Sequence, residues 1–335
     1  MKNVIRIMGF IILIVCSNSF KSCKKEELPT ITTSALSNLT VSRVSSGGDI
    51  TNEGSATVTA RGVCWSTSIN PTIADNTTND GAGVGSFTSR IIGLKGGTTY
   101  YIRAYATNTV GTGYGMTISG TTQTSNIPTN GLVGYYPFDG NPNDYSYNGN
   151  NGTVNGATLT TDRFGEANCA YFFDGVSNTI TGTTNNWPLS NSSRTISLWI
   201  KLRSLPDNGE NKLFLTYGPE IEHCLTNLYF QYTQVNGKRV VFGGYFDDIN
   251  VSFDYSVDTW YNVVGIFDGT IAKLYINGEL IAQENKSTWN TVSSDFHIGG
   301  WYNAIAFLNG TIDDIRIYNR FLNPNEVLLL YNEIP

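Results

Sequence analysis

Five oxygen-bearing side chains between positions 139 and 314 have types that suit a hard divalent cation. Calcium takes about six to eight oxygen ligands from carboxylates, amide side chains and backbone carbonyls. Gly140 and Gly175 each follow an aspartate and free the local backbone to turn a carbonyl inward. The candidate metal ligands are Asp139, Asn141, Asp174, Asp313 and Asp314.

These carboxylates are expected to lie close together in the folded domain. The first and last strands of the C-terminal segment are expected side by side, which brings the Asp139 turn near Asp313. No Lys or Arg lies within the acidic segments, so carboxylates gathered there would repel one another unless a cation lay between them. Asp139 and Asp313 are the strongest candidates. The alternative is that the Asp-Gly pairs are simple turns and that Asp314 faces solvent or pairs with Arg316 or Arg320.

Aromatic side chains offer a second kind of chemistry, because exposed rings can stack on the faces of sugars. The candidates in predicted loops or at strand ends rich in Asn and Thr are Trp187, Trp289, Trp301 and Tyr302. Trp301 is the preferred contact. The alternative is that these loop tryptophans cap the edge of the fold. Trp199 and Trp260 lie in alternating segments and are expected to be in the core or half-buried.

The elements that must position these groups are strands. Ile196–Leu202 alternates apolar and polar residues, as a strand with one face on a core does. Trp260–Phe267 and the strand after it are separated by Asp268-Gly269, and Asn277-Gly278 follows, which predicts an antiparallel meander with tight hairpins. The segment from Asn323 to Tyr331 is predicted as a helix, with Asn323 as its cap and a proline at its first position.

The N-terminal half is also predicted to consist of strands. Alternating segments at 56–60, 62–65 and 101–106 are separated by Gly-rich turns, which predicts strands. The pattern Leu-x-x-x-Thr-x-Tyr at Leu94, Thr98 and Tyr100, with the residues after it, resembles the end of a fibronectin type III domain, which implies that Tyr100 is a buried corner tyrosine. Residues 28–123 are therefore predicted to form an immunoglobulin-like sandwich, and the polar segment 124–130 to form a linker.

Residues 131–335 carry a stronger resemblance. The blocks Gly131–Asn141, Gly149–Gly152, Tyr171–Gly175 and Gly310–Arg320, in this order, resemble the laminin-G-like jelly roll of the concanavalin A-like lectin/glucanase superfamily. The resemblance implies two packed antiparallel sheets, one of them concave, and a structural calcium near the rim. The expected fold class is all-β, with an immunoglobulin-like sandwich followed by a concanavalin A-like jelly roll.

Catalysis is not expected. The glucanase relatives place an acid and a nucleophile on one face of a Glu-x-Asp-x-Glu strand. The nearest match here, Glu220-Ile221-Glu222, lacks the central Asp. His223 has no nucleophile motif near it, and His297 falls in a predicted strand. A glycoside hydrolase of unusual type is kept as the third alternative.

The start of the chain predicts export. Lys2 and Arg6 precede a short apolar run, Gly9–Val15, which is too short to span a bilayer. Ser22-Cys23 then resembles a lipoprotein cleavage site, so residues 1–22 are predicted as the signal peptide and Cys23 as the lipidated residue. An ordinary secretory peptide is the alternative. The Lys-Lys-Glu-Glu that follows resembles an export signal for the outer face of the outer membrane.

Composition narrows the class of partner. Only 14% of residues are charged and the net charge is −6, which falls to about −9 when residues 1–22 are removed. An acidic surface repels phosphate backbones, so nucleic acid is not an expected partner. The pattern predicts a lipid-anchored surface protein with a calcium-stabilised, glycan-binding domain on a spacer. A protein-binding adhesin without a sugar site is the second alternative.

Overall fold

The computed structural model describes residues 26–301 and 306–333. The predicted signal peptide, Cys23 and Tyr302 lie outside these residues. The described chain is all-β apart from one C-terminal helix, which confirms the predicted fold class. It divides into two compact units. The first contains the described residues up to Leu36, Ser46–Arg90 and Tyr100–Ser119, and the second contains Ser37–Ser45, Ile91–Thr99 and the chain from Gly120 onward.

The N-terminal half contains a three-stranded and a five-stranded sheet. Its strands are β1 (Thr30–Thr33), β2 (Val44–Asn52), β3 (Ala60–Ser66), β4 (Asn76–Thr77), β5 (Gly85–Ile91), β6 (Thr99–Thr107), β7 (Thr112–Tyr114) and β8 (Ile118–Thr121). The sheet orders are β1-β2-β5 and β4-β3-β6-β7, with β8 paired to β6. Two of the three predicted segments, 62–65 and 101–106, lie within β3 and β6, which pair antiparallel.

The buried tyrosine of β6 is not the one that the sequence indicated. Tyr100, the predicted corner residue, is half-buried. Tyr105, five residues on, is buried, and its hydroxyl donates to the Thr78 carbonyl at 2.7 Å. The buried tyrosine of this strand is therefore Tyr105, and its hydroxyl has the hydrogen-bond partner that a buried phenol needs.

The C-terminal unit consists of two larger sheets. The seven-stranded sheet has the order β10 (Thr153–Asn155), β13 (Thr179–Gly182), β22 (Phe296–Ile298), β15 (Asn211–Tyr217), β16 (Thr226–Thr233), β17 (Gly237–Gly243) and β18 (Ile249–Ser252). The eight-stranded sheet has the order β11 (Thr158–Thr160), β12 (Ala170–Asp174), β23 (Asn309–Tyr318), β14 (Arg194–Leu202), β19 (Trp260–Phe267), β20 (Ile271–Ile276) and β21 (Glu279–Asn285), with β9 (Leu132–Tyr136) paired to β23.

The main core lies between these two sheets, because alternate residues of each strand point toward the other sheet. In β14 the inward residues are Leu198, Ile200 and Leu202, all buried. The meander predicted from the Asp-Gly and Asn-Gly turns is present as β19-β20-β21. The first and last strands, β9 and β23, lie side by side, as predicted, and they run antiparallel.

One helix, α1 (Pro324–Tyr331), packs on the outer face of the eight-stranded sheet. The Asn323 side chain accepts a hydrogen bond from the Glu326 backbone N–H, and the Glu326 carboxylate accepts one from the Asn323 N–H. This reciprocal cap confirms the predicted helix start. Val327 and Leu330 bury the apolar side of α1 in a cluster that includes Val264 of β19.

The cysteines of the described chain form no disulfide. Cys64, Cys169 and Cys224 are all present as thiols, so the pairing that export would permit between Cys169 and Cys224 is not made. Among the described residues, no helix has the length and apolar character needed to span a membrane.

Candidate functional site

Strand β14 presents a row of aromatic and cationic side chains away from the core. Because Leu198, Ile200 and Leu202 point inward, Trp199 and Lys201 point to the outer face of the eight-stranded sheet. Arg203, directly after the strand, continues the same alternation. The sequence analysis expected Trp199 in the core or half-buried; it is 8% exposed, yet it lies outside the inter-sheet core.

Antiparallel register extends this row across five strands. Lys201 pairs with Trp260 on one side and with Thr311 on the other, Thr311 pairs with Phe172, and Phe172 pairs with Thr158. We call these residues the outer-face row: Thr158, Phe172, Thr311, Lys201 and Trp260. With neighbouring strands about 4.8 Å apart, the row is about 19 Å long.

Each half-exposed ring of the outer-face row is accompanied by a cation. The Lys201 ammonium nitrogen lies 5.0 Å from the centroid of the Trp260 ring, and the Arg203 guanidinium carbon lies 5.7 Å from the Phe172 centroid. Both distances are within reach of a cation–π attraction. Trp260 and Phe172 nevertheless keep part of their surface open to solvent.

Two cavities open on this face. One, of about 320 Å³, is lined by Arg163, Phe164, Trp199, Trp260, Tyr331, Asn332 and Glu333. The other, of about 260 Å³, is lined by residues that include Thr160, Phe172, Lys201, Arg203 and Asp258. In the first cavity the rings of Trp199 and Tyr331 stack at 5.9 Å with an interplanar angle of 20°. A volume near 300 Å³ is at the small end of ligand pockets.

Behind the first cavity lies a buried ion-pair cluster. Arg163 Nη1 contacts the Asp313 carboxylate at 2.7 Å and also donates to the Asp314 carboxylate, while its Nη2 lies 3.0 Å from Glu333. Arg316 Nη2 adds contacts of 2.7 Å to Glu333 and 3.3 Å to Asp314. Two guanidinium groups thus contact three carboxyl groups in a region that excludes most water, and their charges balance when one of the three carboxyl groups is protonated.

A bulge in β23 explains why two consecutive aspartates meet one arginine. Successive strand residues normally point to opposite faces. Here Trp199 pairs with Asp313 while Ser197 pairs with Arg316, so β23 contains one residue more than β14 over this stretch. Asp314 lies at this bulge, and its backbone is in the left-handed region, at φ 48°. The bulge therefore turns both carboxylates toward Arg163.

The two aspartates differ in their protonation. Burial raises the pKa of Asp313 well above its ordinary value, and the neighbouring Asp314 carboxylate raises it further, against the opposing effect of Arg163. Burial also acts to raise the pKa of Asp314, but Arg163 and Arg316 outweigh it and leave that pKa lowered. Asp314 is therefore the residue that stays ionised, and Asp313 takes up a proton first.

This arrangement does not fit a calcium ion. The sequence analysis assumed that no basic residue joins the acidic segments, and this assumption is wrong, because Arg163 lies between Asp313 and Asp314 where a cation would lie. Among residues 26–301 and 306–333, no group of three or more His, Cys, Asp or Glu side chains is placed to hold a metal. A calcium site here stays a prediction that chelation can test.

The other predicted ligands divide into two groups. Asp139 is buried and lines the same small cavity as Asp313 and Asp314, and the Asn141 amide donates to the Asp139 carbonyl at 3.1 Å. Asp174 does not line this cavity. It pairs with Asn309, four residues before Asp313 in β23, a separation of about 13 Å along the strand.

The Asp174 carboxylate has a local structural role. It accepts hydrogen bonds from the backbone N–H groups of Val176, Ser177 and Asn178, which close its own turn. The small desolvation of this carboxylate acts to raise its pKa, but these hydrogen bonds outweigh it and lower the pKa. Asp174 thus behaves as the simple turn residue of the alternative interpretation.

The loop tryptophans are buried, so the expectation that they are exposed is wrong. Trp187 stacks on Phe296 at 5.1 Å in the inter-sheet core. Trp289 is also in that core, and its indole N–H donates to the Asp247 carbonyl at 2.8 Å. Trp301 is 7% exposed and packs in a separate cluster with residues of the seven-stranded sheet. Their tertiary packing fits the alternative interpretation that loop tryptophans seal the fold.

Sequence reasoning missed the aromatic residues that do face a cavity. Trp260 was expected in the core or half-buried, and it is half-buried, but neither it nor Phe172 and Tyr331 was predicted as a contact for a ligand. One signal was available for β14, since alternation with Leu198, Ile200 and Leu202 placed Trp199 and Lys201 together on the opposite face. The neighbours on β12 and β19 depend on strand order, which local patterns do not determine.

Comparison with known families agrees with this fold. Residues 174–328 match the Laminin_G_3 family model, described as the concanavalin A-like lectin/glucanases superfamily. The two packed antiparallel sheets of the C-terminal unit are consistent with this match. No curated protein matches the chain in sequence.

Several solved structures are similar. Domain 4 of an extracellular GH43 arabinanase from Geobacillus stearothermophilus, in complex with arabinotriose, is 19% identical, with a TM-score of 0.47, and the match covers 60% of this chain and 98% of that one. The binding domain of Paraclostridial Mosquitocidal Protein 1 is 20% identical, with a TM-score of 0.47 and coverages of 60% and 52%. The botulinum neurotoxin serotype D ligand-binding domain, in complex with N-acetylneuraminic acid, is 16% identical, with a TM-score of 0.48 and coverages of 61% and 51%. The match thus spans about half the length of each toxin chain.

Proposed function

We propose that the C-terminal jelly roll binds glycans on the outer face of its eight-stranded sheet. The observation that carries the proposal is the outer-face row, in which the half-exposed ring of Trp260 lies next to Lys201 and that of Phe172 lies two strands away on the other side, beyond Thr311. Sugar rings present C–H faces that pack on aromatic rings, and hydroxyls that need polar partners. The cavity beside Trp260, with Trp199 and Tyr331 in its wall, supplies both kinds of surface.

The arrangement of carboxylates favours binding over glycoside hydrolysis. A hydrolase needs one carboxyl group that donates a proton and a second, unpaired one that attacks or activates water. Asp314 and Glu333, next to the aromatic cavity, are instead each held by both Arg163 and Arg316. Carboxylates restrained in this way support the fold and the position of Arg163 beneath Trp199.

The remaining parts of the proposal rest on sequence. We propose that the protein is exported and anchored at the outer membrane surface through a lipid on Cys23, with the N-terminal sandwich as a spacer. Growth with a radiolabelled fatty acid would test the anchor. The wild-type protein should incorporate label into the membrane fraction, and a Cys23→Ala variant should not. Equal labelling of both would remove the anchor from the proposal.

Glycan binding can be tested with the full-length protein. Affinity electrophoresis in gels containing individual polysaccharides should show retardation by at least one of them. Trp260→Ala and Phe172→Ala should each weaken that retardation. Phe246→Ala is the matched control, because Phe246 is 79% exposed but lies in a loop next to the seven-stranded sheet.

The outcomes separate the alternatives. Retardation that is lost in both outer-face variants and kept in the control would support the assignment. If Phe246→Ala abolishes binding while Trp260→Ala has no effect, the sugar site is not on this face. If no polysaccharide retards the protein and it captures only proteins, the adhesin alternative is correct. Release of reducing ends from a bound polysaccharide would instead favour the hydrolase.

A further inference from the structure

Two cations on the outer face of the eight-stranded sheet have no carboxylate partner among the described residues. Lys201 and Arg203 stand two residues apart on the same side of β14, about 7 Å along the strand. Their charged groups lie over the rings of Trp260 and Phe172, but no ion pair is formed by either. The aromatic contacts leave the donors of both side chains available to a ligand.

The two buried arginines nearby, in contrast to Lys201 and Arg203, are paired with carboxylates. Arg163 contacts three carboxylates, and Arg316 contacts two of the same three. These two arginines next to the outer face are therefore paired with carboxylates, within a chain whose net charge is −6. Lys201 and Arg203 are left without such partners although acidic residues outnumber basic ones in the chain.

Two carboxylates lie near this surface. Asp174, two residues after Phe172 on the same face of β12, accepts hydrogen bonds from the backbone of its own turn. Asp258 is an exposed carboxylate that lines the same cavity as Lys201 and Arg203. It offsets one of the two positive charges, so this cavity keeps a net positive charge of one. The carboxylates of the neighbouring cavity are already neutralised by Arg163 and Arg316. A local positive potential beside two open rings attracts an anion that also carries a flat apolar face.

We infer that the outer-face row selects anionic saccharides, whose sugar rings carry carboxylate or sulfate groups. This inference rests on the proposed glycan binding and specifies its ligand class. A ring stacked on Trp260 or Phe172 would place its acidic substituent beside Lys201 or Arg203. A charge-assisted hydrogen bond from Arg203 or Lys201 would then discriminate an acidic polymer from its neutral counterpart.

Matched polymers test the charge preference. The full-length protein is run in affinity gels containing dextran or dextran sulfate, and galacturonan or its methyl ester, so that the members of each pair share a sugar backbone and one of them lacks the anionic groups. The anionic member of at least one pair should bind at least roughly tenfold more tightly than the neutral member. The pair that shows the preference identifies the anionic group as sulfate or carboxylate. The preference should decrease as sodium chloride is raised, because salt screens exposed charges.

Charge-removing variants locate the effect. Lys201→Gln with Arg203→Gln should abolish the preference for the anionic polymer and leave any binding of its neutral counterpart unchanged. Arg239→Gln is the matched control, since it removes a half-buried cation from the outer face of the seven-stranded sheet. Melting curves of the three proteins should coincide, which separates loss of binding from loss of fold.

Each outcome has a distinct meaning. Equal binding of neutral and anionic polymers, lost in Trp260→Ala, would overturn the charge inference and keep the glycan site. An anionic preference that survives in the double variant, or that Arg239→Gln removes, would also overturn it. Equally tight binding of polyphosphate would show a general attraction to polyanions and overturn it as well. Failure of all polymers to bind would instead remove the proposed function.

Discussion

Lys201 and Trp260 are register partners across β14 and β19, and the ammonium nitrogen lies 5.0 Å from the indole ring centroid. A lysine stem of four methylenes can cover an aromatic face while its charged end stays near solvent. Here the ring remains half-exposed, so the pair presents an apolar surface and a positive charge together. This juxtaposition is what makes the outer face of the eight-stranded sheet the candidate binding surface.

The positions of the tryptophans predict different effects on stability. Trp289→Ala should lower the free energy of unfolding by about 3–5 kcal/mol, because Trp289 is buried in the inter-sheet core. Trp260→Ala should cost less than about 2 kcal/mol, because its ring is already partly hydrated. Urea denaturation followed by circular dichroism measures both. A larger loss for Trp260→Ala would show that its ring belongs to the core.

Arg163 is expected to be essential to the stability of the jelly roll. Arg163→Met keeps the apolar stem but leaves Asp313, Asp314 and Glu333 with one guanidinium between them. Loss of a buried partner costs about 3–5 kcal/mol, mostly as uncompensated charge. Calorimetric melting at pH 7 checks this. Adding Asp314→Asn to Arg163→Met should recover part of the loss, and a variant as stable as wild type would contradict the ion-pair cluster.

The two aspartates of the bulge should respond oppositely to pH. The folded pKa of Asp314 lies below its ordinary value of 3.8, so its stabilisation is present above that pH and is lost as pH falls through the folded pKa. Asp314→Asn should therefore be destabilising at pH 7, and the difference from wild type should shrink below about pH 4.

Asp313 has a folded pKa raised well above 3.8, so the stabilisation from its protonated form is lost as pH rises through that folded pKa. Asp313→Asn cannot ionise, and its stability relative to wild type should therefore increase as pH rises from 3.8. Urea midpoints measured between pH 3 and pH 8 follow both variants. Parallel curves for the two variants would contradict the assignment of the proton to Asp313.

Chelation tests calcium directly. Because Arg163 lies between the carboxylates of Asp313 and Asp314, EDTA should leave the melting temperature of the jelly roll unchanged, and added calcium should not raise it. The melting temperature of an Asp139→Asn variant should likewise be the same with and without calcium. A fall in melting temperature on chelation, reversed by calcium, would support the metal site that the sequence suggests.

How far the sequence could predict this site differs from residue to residue. The helix cap at Asn323 was predictable, because a capping residue and its partner are three positions apart. Arg163 was not, because it meets Asp313 across 150 residues, and nothing local connects them. The burial of Trp187 and Trp289 was also not predictable, since a loop tryptophan becomes core only when the loop is folded between the sheets.

The sequence by itself determined the all-β class, the meander of β19, β20 and β21 with its tight turns, and the face of β14 on which Lys201 lies. It could do so because turn residues and the two-residue period of a strand are local properties. Tertiary structure decided that Trp260 and Phe172 join Lys201 in one row, and that Arg163 neutralises the predicted metal ligands. Those relationships depend on strand order, register and one bulge, and these are fixed by the packing of the whole sheet.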